Sequence, residues 1–180
     1  MERKFFILII LLALFFSGCY AKNENIPEIN IYNIMKLTSP DFSHDGDLPM
    51  NLTCDGAGRP PVLEISEMPA EAVSLALIVS DPDAPRGTFI HWAVWNMDPK
   101  VSVIRQDNLM TGAVVGVNSG GVADYFPPCP PTGEHCYMFK LYALDRALDL
   151  GPEAGGADLV KAMEGHILAE AVLVGKYGRS

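Results

Sequence analysis

Beyond a polar stretch at residues 20–31, short apolar runs alternate with segments containing Pro and Gly. Such punctuation predicts an all-β sandwich. Ser74–Ser80 is almost wholly apolar and predicts a buried strand. Ile90–Asn96, rich in aromatic and branched residues, predicts a second. Thr111–Val117 is a weaker third and Tyr137–Leu144 a strong fourth. On the fourth, Tyr137, Phe139, Leu141 and Ala143 share one face, and Met138, Lys140, Tyr142 and Leu144 share the other. Pro61–Ile65 reads as a short early strand. Helical spacing comes late, where Asp158 caps Leu159, Val160, Met163 and Ile167, with the helix ending near Leu168. Glu170–Tyr177 then alternates as a strand. The expected fold is mainly β: a single-domain antiparallel β-sandwich over residues 32–180, with one or two small peripheral helices.

Composition narrows the function. The chain has 180 residues, 49% hydrophobic and 19% charged, which is globular usage. Its net charge of −9 and the absence of any Lys/Arg cluster exclude nucleic acid as a natural partner. One locally positive pocket for a small anion remains compatible with that charge.

The N-terminus stands apart. Arg3 and Lys4 precede an apolar run, Phe5–Phe16. That run is too short for a bilayer span of ~20 residues and matches the apolar region of a secretory signal. It ends in Phe16-Ser17-Gly18-Cys19, which resembles a bacterial lipobox. Residues 1–18 are therefore expected to be a signal peptide, Cys19 the lipidated residue, and residues 20–31 a tether. The expected location is the cell envelope, lipid-anchored on its periplasmic or outer surface, with plain secretion as the alternative. An oxidising compartment permits disulfides. Three cysteines remain, Cys54, Cys129 and Cys136, so one is left over if two pair; the spacing does not choose the pair.

Candidate chemistry lies in three places. Asp81-Pro82-Asp83-Ala84-Pro85 is a stiff loop holding two carboxylates at a strand end. His91 places an imidazole inside an aromatic strand, where burial demands a partner. A Pro-rich loop from Pro127 to Pro131 leads to His135, which points to the same strand face as Tyr137. Taken alone, these are also consistent with a turn, a core histidine bonded to a carbonyl, and a spacer.

Together, in this order, they resemble the phosphatidylethanolamine-binding protein family, and its bacterial Raf-kinase-inhibitor-like branch most closely. Thr53-Cys54-Asp55-Gly56 before Pro60-Pro61, and Gly165 to Ala171, extend the resemblance over roughly residues 33–178. It implies a ligand-binding pocket of Asp81, Asp83, Pro85, His91, His135 and Tyr137, and a cis bond at Ala84–Pro85. It implies no cofactor and no metal. Cys136 stands where the family usually has Arg or His, and Ala123-Asp124-Tyr125-Phe126 replaces a Gly-rich approach.

The function expected is non-enzymatic capture of a small anionic ligand bearing phosphate or carboxylate, such as a phospholipid head group. His135 and Tyr137 would donate to the anion, while Asp81 would accept from His91 or His135 and fix its tautomer. The alternatives are an inhibitor or regulator of a protease or other envelope protein, and a metal-dependent hydrolase using the same Asp and His residues. The expected partners are the ligand, the membrane through the lipid, and a possible protein target. The expected assembly is a monomer or homodimer.

Overall fold

The structure, a computed structural model, describes residues 35–109 and 112–179. The signal segment, Cys19 and the tether lie outside the described residues. Those described fold as one unit, built on two sheets.

The smaller sheet has the order β1-β3-β6, with β1 at Lys36–Thr38, β3 at Leu63–Ser66 and β6 at Val103–Ile104. The larger has the order β2-β9-β8-β4-β5-β7. Its strands are β2 (Gly46–Asp47), β4 (Ser74–Asp81), β5 (Phe89–Met97), β7 (Val114–Val115), β8 (Gly133–Leu144) and β9 (Ile167–Arg179). Every pairing is antiparallel except β2 with β9, which is parallel.

Strand β4 is buried along its whole length because both faces of the large sheet are covered there. Toward the small sheet, Leu75, Leu77, Val79, Trp92, Phe139 and Leu141 pack with Leu37, Leu63 and Ile104. Away from it, Ala76, Ile78, Trp95, Tyr142 and Leu144 pack beneath helix α1 (Gly156–Met163) through Leu159 and Met163. Of the two faces expected for Tyr137–Leu144, Tyr137, Phe139, Leu141 and Ala143 enter the first core, and Tyr142 and Leu144 the second, while Met138 and Lys140 stay half-buried.

Three expectations change. The helix ends at Met163 rather than near Leu168, because Gly165 turns left-handed at φ 77° and Ile167 joins β9 opposite Leu144. The cap position is Gly155, not Asp158; the Asp158 carboxylate instead accepts the Gly155 N–H at 3.1 Å. The Asp158→Ala variant should cost about 0.5–1 kcal/mol in urea unfolding. No peptide bond is cis among the described residues, so Ala84–Pro85 is trans, the isomer that a prolyl bond ordinarily favours.

Candidate functional site

The site forms where β4, β5 and β8 end together. In β4, Val79 pairs with Trp92, yet Ser80 pairs with Ile90, so His91 is the extra residue of a β-bulge. A bulge re-aims a side chain that strict alternation would send to the opposite face. Here it leaves Trp92 in the inner core and presents His91 toward Tyr137 of β8, ring centroids 5.2 Å apart.

Asp81 closes β4 and is buried, 4% exposed. Both its oxygens are engaged. Oδ1 accepts the Asp83 N–H at 2.8 Å, an Asx turn at the head of the Pro loop. Oδ2 accepts from His135 Nδ1 at 2.7 Å, which fixes that imidazole's tautomer and orientation. Of the two imidazoles considered for Asp81, the structure pairs it with His135. His91 donates from Nδ1 to the Phe126 carbonyl at 2.7 Å. Burial holds His91 below the ordinary imidazole range, opposed by the Phe126 carbonyl and the Asp81 charge.

Asp83 sits differently. It is exposed, and its Oδ2 accepts the Cys136 N–H at 2.8 Å, strapping the Asp-Pro loop to β8. Gly87, at φ 95°, closes the same loop by donating its N–H to the Ala84 carbonyl. Cys136 is a free thiol on the strand, raised above its usual range by burial and the Asp83 charge.

A cavity of about 140 Å³ opens among these residues. Asp81, Pro85, His91 and His135 line it, as expected for four of the six site residues. Phe89, Phe126, Cys129 and Pro131 line it too; Cys129 and Pro131 belong to the Pro-rich loop noted in the sequence, whereas nothing in the sequence singles out the two phenylalanines as lining. Tyr137 lies against both imidazoles, 5.2 Å from His91 and 6.5 Å from His135 by ring centroids. Two buried polar atoms here have no hydrogen-bond partner in the protein: His91 Nε2 and the Tyr137 hydroxyl. Burial raises the Tyr137 phenol well above its usual range, so it is neutral and able to donate.

Cys54 and Cys129 form the disulfide, which leaves Cys136 as the unpaired thiol. The bond ties the cavity's Pro loop to residues 53–56, and the Cys54 N–H donates to the Pro128 carbonyl at 3.0 Å.

A family model for phosphatidylethanolamine-binding protein matches residues 38–178. This chain belongs to the phosphatidylethanolamine-binding protein family. A UPF0098 protein of Chlamydia muridarum is 47% identical over 79% of this chain and 98% of its own length. Another, from Methanothermobacter thermautotrophicus, is 44% identical over 81% of this chain and 99% of its own. Among solved structures, a phosphatidylethanolamine-binding protein homologue from Chlamydia trachomatis is 42% identical. It superposes with a TM-score of 0.78 and covers 82% of this chain and 99% of its own. YbcL of Escherichia coli, described as a member of the mammalian family, is 30% identical with a TM-score of 0.76, over 81% and 99% of the two chains. These relatives agree with the bacterial branch of the family that the motifs resemble.

Proposed function

We propose that the cavity captures the anionic group of a small ligand, phosphate or carboxylate, such as a phospholipid head group, without turning it over. The observation that carries this reading is the pair of buried, unpartnered atoms, His91 Nε2 and the Tyr137 hydroxyl. A buried polar group without a partner costs about 1–3 kcal/mol, and an oxyanion seated between the imidazoles satisfies both at once. Asp81 does not oppose the anion as a bare charge, because its oxygens are taken by His135 and the Asp83 N–H. The family's own name points to the head-group class. Binding rather than turnover is supported by the lining: its cysteine, Cys129, is held in the disulfide and offers no thiol as a nucleophile.

Export and lipid anchoring at Cys19 belong to the same proposal, supported by the basic and apolar start of the chain. Intact-mass measurement of the protein from its own membranes should show diacylglycerol on Cys19.

The site makes affinity depend on pH with a definite sign. Unliganded His91 titrates below the ordinary range of about 6.5 and is neutral near pH 7. A bound anion favours its protonated form, in which Nε2 donates, so binding takes up a proton. Affinity therefore rises as pH falls through the bound-state pKa and levels off below the free-state pKa. Calorimetric titration with acetate, which stays a monoanion over this interval, should show an increase of about three- to tenfold from pH 8 to pH 6. A flat profile over that interval counts against the reading.

A further inference from the structure

The cavity lining has no Lys or Arg; its charge-bearing side chains are Asp81 and two imidazoles. Positive charge beyond that of the imidazoles must come from outside the lining, and one guanidinium touches a lining residue, Cys129. Arg179, near the end of β9, lies opposite Gly133 at the start of β8. Its Nε and Nη2 both donate to the Asp55 carboxylate at 2.9 Å, a bidentate pair. Tyr177, opposite His135, donates its hydroxyl to the same carboxylate at 2.6 Å. Asp55 is itself fixed by its neighbour, since Cys54 is disulfide-bonded to Cys129.

That arrangement spends one edge of the guanidinium and leaves Nη1. Nη1 lies 3.7 Å from Cys129 Sγ, on the cavity wall. A neutral sulfur is a weak acceptor, so Nη1 keeps its capacity to donate to a better one. The Asp55 charge sits on the opposite edge, and the pair presents its positive end to the cavity.

We infer that Arg179 is a specificity-determining residue of the site: held by Asp55 and Tyr177, it selects ligands whose anionic group carries more than one negative charge. This rests on the anion-capture reading. Arg179 is a cation fixed beside the cavity wall at Cys129, and His91, His135 and Tyr137 handle the oxygens that enter. A dianionic phosphate gains from it more than a monoanionic carboxylate does, because the attraction scales with the ligand's charge.

The test compares wild type with Arg179→Gln and Arg179→Lys in titrations with inorganic phosphate and with acetate at pH 7.5. Lys161→Gln, on α1, serves as a control for net charge. Arg179 stands at the end of the last strand, and retained near-UV circular dichroism checks that each variant is folded. Phosphate affinity should fall about five- to tenfold in Arg179→Gln, while acetate affinity changes less than about threefold. Arg179→Lys should recover part of the loss. The difference between wild type and Arg179→Gln should shrink at 0.5 M salt, as screening requires and a packing defect does not. Equal phosphate affinity in wild type and Arg179→Gln, or the same loss in the Lys and Gln variants, overturns the role of Arg179 and leaves anion capture standing. A wild-type protein that binds neither probe overturns both.

Discussion

Replacing Cys54 and Cys129 together by Ala should lower the unfolding free energy by about 4 kcal/mol, and the melting temperature by about 10–15 °C. The bond joins residues separated by 75 positions, so it removes many extended states from the unfolded chain. The native side adds to the effect. Pro127, Pro128, Pro130 and Pro131 have no N–H to give, so this segment cannot be tied down through its own donors. What holds it is the disulfide, with the Cys54 N–H on the Pro128 carbonyl. The double variant leaves Cys136 as the single thiol among the described residues, so no replacement bond forms within the domain. Paired urea and thermal unfolding measure the loss. A drop below about 1 kcal/mol would mean that other packing holds the segment, as when Pro127 rests against Gly58. Ligand affinity should fall in the same variant, since Cys129 and Pro131 form part of the cavity wall.

The Tyr137→Phe variant should separate stability from binding. The ring stays, with its contacts to His91 and His135, and only the hydroxyl goes. In the free protein that hydroxyl is buried and bonded to no protein group, so its loss leaves stability unchanged or raises it by up to about 1 kcal/mol. In the complex it is a donor to an anion, a bond of about 1.5–3 kcal/mol, so affinity should fall about ten- to a hundredfold. Most core substitutions lose stability; this one should lose only function, the pattern of a residue retained for its ligand. Calorimetric titration and denaturant unfolding on the same preparations check both halves. A destabilised variant with unchanged affinity would assign the hydroxyl to packing.

How far the sequence displays this structure depends on which physical signal each part leaves. Strands β4, β5 and β8 are legible because burial on the large sheet demands runs of apolar residues longer than chance turns allow. Strands β1, β2 and β6 span three, two and two residues, too short for any periodicity to register. The pattern places the helix end too late because Ile167 fits a helical face and a strand equally well. Only the φ of Gly165 decides, and Gly is compatible with either. At the site, Asp81, His91, His135 and Tyr137 each also fit an ordinary structural role, and they become legible as a set only through the ordered motifs that resemble the family. The Phe126 carbonyl that holds His91 is invisible, since every residue has a carbonyl. The pairing of Arg179 with Asp55 spans 124 positions and exists only once β9 lies beside β8.

The position of β9 bears on when this protein can exist. The strand latest in sequence among the described residues is not an edge strand: it lies between β8 and β2. A nascent chain that stops before Ile167 already contains Asp81, His91, His135 and Tyr137. It nevertheless has β8 open along one side and lacks the β9 carbonyls that accept the Asp45 and Leu48 N–H groups. An open strand of that length is an aggregation hazard. The large sheet is thereby complete only when Ile167–Arg179 is in place beside β8 and β2. Until that strand arrives, β8 keeps one side unpaired along its length, so the covering of this edge rests on a single segment.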